Sequence, residues 1–220
     1  MTDIIPIFCG SDPREAIGLH VFTSSVWRHA SVPVSITPIG HKALSDGTNA
    51  FTLSRFLVPF LCAYKGWAIW MDGSDMLCRA DIAELWAMRD IFKAVQVVKH
   101  DYQTRFPVKY LGQKNYDYPR KNWSSVMLIN CAHYGWRNIR PDTIGEMSGT
   151  ELHRFAGIKD EHIGALPPEW NVIVGEPNQA REAKIAHMSI GLPVWYPDVE
   201  YAAEWLDEWR RMTDYQEWKP

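Results

Sequence analysis

The run Trp67-Ala-Ile-Trp-Met-Asp72-Gly-Ser-Asp75-Met-Leu-Cys-Arg79 delivers two carboxylates, separated by small residues, from the end of an apolar strand. In an α/β sheet, ligands bind at the carboxyl ends of strands. Carboxylates placed there can converge on a hard divalent cation such as Mg2+ or Mn2+. The same pair also fits an Asx-type turn that closes the strand, and both readings stay open locally.

Such a pair needs a sheet to hold it. Short β-type runs recur at Ile4–Phe8, Val34–Ile39, Trp67–Met71, Ala94–Val98, Val126–Ile129 and Lys184–Met188. Asp12-Pro13-Arg14-Glu15 combines an N-cap acid, proline at the first helical position and glutamate at the third, which predicts a helix to about His29. A second helix is expected from Thr52, with Leu53, Phe56, Leu57, Phe60 and Leu61 on one face, a kink at Pro59 and Gly66 beyond its end. A third starts at Asp81 with Glu84 completing a capping box and Ile82, Leu85 and Trp86 buried. Tyr201, Trp205, Trp209 and Met212 mark a last amphipathic helix. The alternation predicts a single α/β domain over residues 1–220 with helices on both faces of the sheet. Residues 101–122, polar and interleaved with Tyr102, Phe106, Tyr110, Tyr116 and Tyr118, form a long excursion that is either a lid or acceptor loop, or an ordered flap without function.

Composition narrows the chemistry. With 220 residues the chain can bury a sizeable core. Its 23 Lys+Arg against 26 Asp+Glu leave no basic field for nucleic acid or an anionic membrane. Cys9, Cys62, Cys78 and Cys131 form no CxxC pair and sit mostly in apolar runs, which reads as reduced core cysteine in a cytoplasmic protein. The start, MTDIIPIFCG, fits neither a signal peptide nor a transmembrane segment. Most of the eleven tryptophans are expected in the core.

Asp75, Leu77, Arg79 and Trp86 stand at spacings that resemble the acidic metal motif of retaining glycosyltransferases of the GT-A fold, the family of lipooligosaccharide galactosyltransferases and glycogenin. Asp75 matches the second acid of that motif, whereas the position two before it is Gly73, and Asp72 lies one residue further upstream. Other segments resemble the family in the same order. Ile7-Phe-Cys-Gly-Ser-Asp12 is similar to the first strand and the acid beside the nucleotide base, a role that can coexist with helix capping. Phe51-Thr-Leu-Ser-Arg55 resembles the helix whose arginine faces the donor, and an arginine in an apolar helix face needs either such a ligand or an ion-pair partner. Trp123-Ser124-Ser125 stands where the family has Asn-Ala-Gly beside the donor sugar. Asp160-Glu161 resembles the Asp-Gln-Asp segment near the reactive carbon, or else a solvated loop. His187, ending the Lys184-Ile-Ala-His run, resembles the family's metal-binding histidine, but the lysine that usually follows in the next loop is missing, leaving Arg55 or Lys184 to compensate.

The resemblance covers roughly Ile4 to Trp195 and implies a compact bacterial or phage-like member with a Rossmann-like mixed sheet. It further implies a hexosyltransferase that moves a sugar from a nucleoside-diphosphate donor, a UDP-hexose, to a glycan or other hydroxyl-bearing acceptor with retention. The implied site has Asp72, Asp75 and His187 holding Mn2+ or Mg2+, with Asp12, Arg55, Asp72, Ser124 and Ser125 on the donor and Asp160 and Glu161 as catalytic candidates. Two aspartates at a strand end also serve metal-dependent phosphohydrolases, although the other histidines show no clustered spacing. A non-catalytic nucleotide-sugar-binding relative is the third reading, motivated by the displaced acid and the missing lysine.

Overall fold

The computed structural model describes residues 4–40, 43, 45, 49–110 and 112–213. Its first sheet is built from β1 (Ile5–Gly10), β2 (Val34–Ile39) and β3 (Trp67–Met71). β4 (Met76–Cys78) leaves for a second sheet, and β5 (Val95–Val97) returns to the first. β6 (Val108–Lys109) and β7 (Gln113–Lys114) make a small hairpin within the 101–122 excursion, whose Leu111 lies outside the described residues. β8 (Val126–Asn130) and β9 (Ile163–Ala165) complete the six-stranded sheet, and β10 (Val172–Ile173) and β11 (Ile185–His187) join β4 in a three-stranded one.

The large sheet runs β2-β1-β3-β8-β5-β9, with β1 parallel to both neighbours and β8 antiparallel to β3 and β5. Its central strands β3 and β8 read as near-continuous apolar runs because both of their faces are covered. Ala68, Trp70, Met127 and Ile129 point to one face, where Phe56, Val58, Trp136 and Phe155 pack. Ile69, Met71, Val126 and Leu128 point to the other, against Phe22 and Val26 of α1 (Ala16–His29). The alternation is the two-residue period of a strand. Trp70, Trp136, Trp170 and Trp205 are fully buried, and Trp67, Trp86, Trp123 and Trp209 pack against the clusters, so tryptophan is mainly core.

Five elements differ from expectation. The second helix breaks into a 3-10 turn, Ser54–Leu57, followed by α2 (Val58–Leu61) with Pro59 in its first turn. Pro59 has no N–H to continue a helix from Ser54, so the helical phase resets and Phe60 and Leu61 end up 40% and 50% exposed. In α3 (Ile82–Ala87), Asp81 caps the amide of Ala83, but Glu84 closes no capping box. Its carboxylate is drawn instead to Lys184 Nζ at 2.6 Å, and Trp86 is only partly buried. The short strands β4, β9 and β10, two or three residues each, carry too little periodicity to read from sequence. α4 (Gly149–His153) has a full Ser148/Glu151 capping box, and α5 (Ala202–Thr213) buries Trp205 against the second sheet.

Candidate active site

Parallel pairing of β1 and β3 brings Asp12 and Asp72 to the same sheet edge, and antiparallel β8 begins there, just after Ser124 and Ser125. The chain between Asp72 and Asp75 turns at Gly73, whose φ of +81° is strained for any residue with a Cβ. A Cβ at Gly18 of α1 would lie 2.0 Å from the Ser74 carbonyl oxygen, so the helix presses directly on this turn. β4 then pairs antiparallel with β11, setting His187 opposite Met76 and hence next to Asp75.

The orientation of His187 follows from its neighbours. Asn171 Nδ2 donates to the carbonyl of Asn122 at 3.2 Å and to Ser125 Oγ at 2.9 Å, and lies 3.0 Å from His100 Nε2. A carbonyl can only accept, so Asn171 Oδ1 must face His187 Nδ1, 3.0 Å away, and that nitrogen donates. Burial pushes His100 down to about 3, which keeps it a neutral acceptor. The other ring nitrogen of His187, Nε2, is 3.1 Å from Asp75 Oδ2. Burial opposes charge on His187, but Asp75 and Asp72 outweigh it and hold its pKa above the ordinary imidazole value.

Asp75 Oδ1 is buried and has no hydrogen-bond partner among the described residues. An orphaned carboxylate oxygen carries a desolvation cost that a ligand would remove. One carboxylate and one imidazole nitrogen, with that oxygen spare, fit a divalent cation that draws its remaining ligands from phosphate oxygens and water. Among the described residues, no three His, Cys, Asp or Glu side chains converge closely enough to form a metal cage on their own.

Asp72 is committed elsewhere. Its Oδ1 lies 2.7 Å from Arg55 Nη1 in an ion pair and accepts a hydrogen bond from Trp70 Nε1 at 3.1 Å, and burial raises its pKa while Arg55 pulls it down. Arg55, 4% exposed, also donates to the carbonyls of Thr52 and Ser124 at 3.0 and 2.9 Å. Asp12 is spent on structure: it accepts from the Arg14 and Ala50 amides and pairs with the Arg14 guanidinium, whose hydrogen bond helps hold it down to about 2. Ser124 Oγ is 2.7 Å from His153 Nδ1, whereas Ser125 faces Asn122 and Asn171 behind the site. Asp160 and Glu161 are 81% and 69% exposed and do not line the cleft; Asp160 pairs with Arg120 at 2.5 Å.

The cleft has two compartments. The wider, about 270 Å³, is walled by Arg55, Tyr118, Ser124, Thr150 and His153. The narrower, about 70 Å³, is walled by Glu15, Phe51, Asp75, Tyr110, His187 and Ser189. Asn49, Asp72, Lys109 and Asn122 line both and mark the junction. Of these lining residues, Glu15 and Lys109 were visible in sequence only as a helix-cap partner and as part of a basic, aromatic excursion.

Glu15 is 2% exposed and has no side-chain hydrogen bond among the described residues. Burial, then the charges of Asp75, Asp12 and Asp72, pushes its carboxyl up to about 9. Between the ordinary carboxylate range and that value, the folded state holds a proton that the unfolded state has lost, so this group's contribution to stability falls as pH rises. Glu15→Gln will remove that slope, which is at most about 1.4 kcal/mol per pH unit. Urea midpoints of both proteins from weakly acidic to weakly basic pH check it; parallel curves would contradict it.

No family profile matches the chain. A search of curated proteins finds Protein CDI of Arabidopsis thaliana, 37% identical over 221 residues, covering 92% of this chain and 85% of that protein. The chain belongs to the CDI family. Among solved structures, apo GlyE, a glycosyltransferase of Streptococcus pneumoniae, superposes with a TM-score of 0.64 at 15% identity, covering 94% of this chain and 60% of that one. The apo bifunctional glycosyltransferase WbbM gives 0.60 at 16%, covering 95% and 50%. The chain thus spans only half to three-fifths of those two. The galactosyltransferase LgtC, solved with donor and acceptor sugar analogues, gives 0.62 at 13%, covering 94% of this chain and 96% of LgtC. At these identities the likeness establishes the GT-A fold for this member of the CDI family. Among its described residues, no helix is long and apolar enough to cross a membrane.

Proposed function

We propose that the chain is a glycosyltransferase that takes a hexose from a nucleoside-diphosphate sugar, a UDP-hexose, and passes it with retention to a glycan or other hydroxyl-bearing acceptor. The observation that carries this reading is the orphaned Asp75 Oδ1 beside His187 Nε2, at the strand end where this fold places a ligand. Asp75 and His187 would hold Mn2+ or Mg2+, which as a Lewis acid offsets the charge that builds on the departing diphosphate.

The remaining roles belong to the chain itself. Asn171 holds the His187 ring so that Nε2 faces the narrow compartment. The Arg55–Asp72 pair forms a fixed floor at the junction, and the wider compartment, with Ser124 and His153, takes the sugar. A preorganised wall of this kind costs no reorganisation as the glycosidic bond breaks. The 101–122 excursion, which contributes Lys109, Tyr118 and Asn122 to the cleft, serves as a lid over the donor.

The lock of Asp72 onto Arg55 also suits a non-catalytic binder, since it leaves the cation one carboxylate ligand. Product analysis separates these readings. UDP-hexoses with Mn2+ and a glycan panel will yield free UDP and an extended glycan. Binding of UDP-hexose without turnover across the panel would establish the binder, and phosphate release from simple phosphoesters would establish a hydrolase.

A further inference from the structure

The four thiols are of two kinds. Cys9 and Cys78 are wholly buried in the cluster that packs on α1, and burial pushes each up to about 12, where almost no thiolate exists to react. Cys62 and Cys131 belong to the cluster on the other face of the sheet, around Trp70, Trp136 and Phe155. Cys131 is wholly buried there, whereas Cys62, which closes α2, is only half-buried.

The backbone brings this second pair together. α2 ends in a reversal with Ala63 and Tyr64 at φ +52° and +54°, and the Lys65 amide donates to the Cys62 carbonyl at 3.0 Å. One residue on, the Gly66 carbonyl accepts from the Cys131 amide at 2.9 Å, which extends the antiparallel register of β3 and β8 beyond the Trp67–Asn130 pair. Cys131 continues the alternation of Met127 and Ile129, so its side chain enters the cluster from the sheet while Cys62 enters from α2. The two side chains meet: a hydrogen bond between them pulls the Cys62 thiol below the ordinary cysteine value and pushes Cys131 above it. The accessible sulfur is therefore the better nucleophile, and the buried one sits beside it.

We propose that Cys62 and Cys131 form an oxidation site, at which hydrogen peroxide attacks the accessible thiol and the buried one closes a disulfide that staples α2 to the end of β8. The Cys62 thiolate attacks one peroxide oxygen and the O–O bond breaks, giving a sulfenic acid and hydroxide, which takes up the proton that Cys62 had released. The Cys131 sulfur then attacks the sulfenic sulfur, the S–O bond breaks, and the departing hydroxide leaves as water with the Cys131 proton. Two thiols are oxidised, one peroxide is reduced and two waters form. The bond closes a loop of about 70 residues that contains β3, Asp72 and Asp75, and a long loop restricts the unfolded chain strongly. α2 continues the turn that carries Arg55, and Ser124, whose carbonyl Arg55 holds, leads into β8, so the disulfide braces the frame around the cleft.

The test treats the full chain with hydrogen peroxide, unfolds it, alkylates the remaining thiols with N-ethylmaleimide and maps the products by mass spectrometry, on the parent, Cys62→Ser and Cys131→Ala. The parent is expected to lose two of its four alkylatable thiols, to yield one cross-linked peptide pair joining positions 62 and 131, and to melt several degrees higher until dithiothreitol restores the reduced value. Cys131→Ala is expected to carry Cys62 on to sulfinic acid without any cross-link, and Cys62→Ser to keep all three of its thiols. The linkage map of the parent stands even where a variant folds poorly. A treated parent that retains four thiols, or whose cross-links involve Cys9 or Cys78 as often as Cys131, would overturn the assignment. Sulfinic acid at Cys62 in the parent to the same extent as in Cys131→Ala would overturn it too, by showing that Cys131 does not capture the sulfenic acid.

Discussion

Arg55→Ala will destabilise the protein by about 3–5 kcal/mol, the usual cost of removing one partner from a buried ion pair. The guanidinium is 5% exposed, its partner Asp72 is 14% exposed, and the two are 2.7 Å apart. Three further features raise the cost. The Thr52 and Ser124 carbonyls lose their donors, the rings of Phe51 and Trp70 lose a guanidinium 5.7 and 5.6 Å from their centres, and Asp72 is left as an uncompensated charge. Arg55 spans the helical segment before α2, the turn after β3 and the approach to β8, so its loss loosens the sheet edge that carries the whole cleft. Urea denaturation of parent and variant measures the effect, and a double-mutant cycle with Asp72→Ala isolates the pair. An unchanged midpoint with weakened UDP-hexose binding would contradict this, and would restore the sequence-based expectation that Arg55 faces the donor.

The difference between those expectations shows where sequence reading reaches its limit. An arginine in an apolar helix must find a polar partner, and this much follows from the chain alone. Whether the partner is a ligand or Asp72 depends on how β3 ends, and Gly73 decides it: the left-handed turn there separates the two carboxylates, sending Asp72 toward Arg55 and Asp75 toward His187. The central strands β3 and β8 were legible because both of their faces are covered, which makes their apolar runs unbroken. Asp12 was legible as a cap, and in the fold its carboxylate is fully used by that cap, Arg14 and Ala50. The Asp75–His187 contact spans 112 residues and depends on the pairing of β4 with β11, and β4 is too short for any pattern to mark it. It was the order of family-like segments that suggested that His187 lies beside the acidic pair. Glu15 and Lys109 carried no local signal for the cleft, since each is placed there by tertiary docking, of α1 on the turn and of the hairpin on the loop after β11.

Asp75→Asn will abolish sugar transfer, by roughly a thousandfold or more, equivalent to about 4 kcal/mol of lost transition-state stabilisation. The amide keeps the shape of the carboxylate but carries no charge to hold a cation, and excess Mn2+ will rescue it poorly. Asp72→Asn will act differently. Asp72 serves Arg55 and Trp70, so its loss should fall on stability first and leave measurable residual transfer on the protein that remains folded. The decisive measurement is calorimetry of UDP with Mn2+ and with chelator, on the parent, Asp75→Asn and His187→Ala. The account predicts tight binding by the parent only with Mn2+, and loss of that Mn2+ dependence in both variants while their folds persist. Equal UDP affinity in the parent with Mn2+ and with chelator would contradict the claim that Asp75 and His187 hold the cation on which the diphosphate binds.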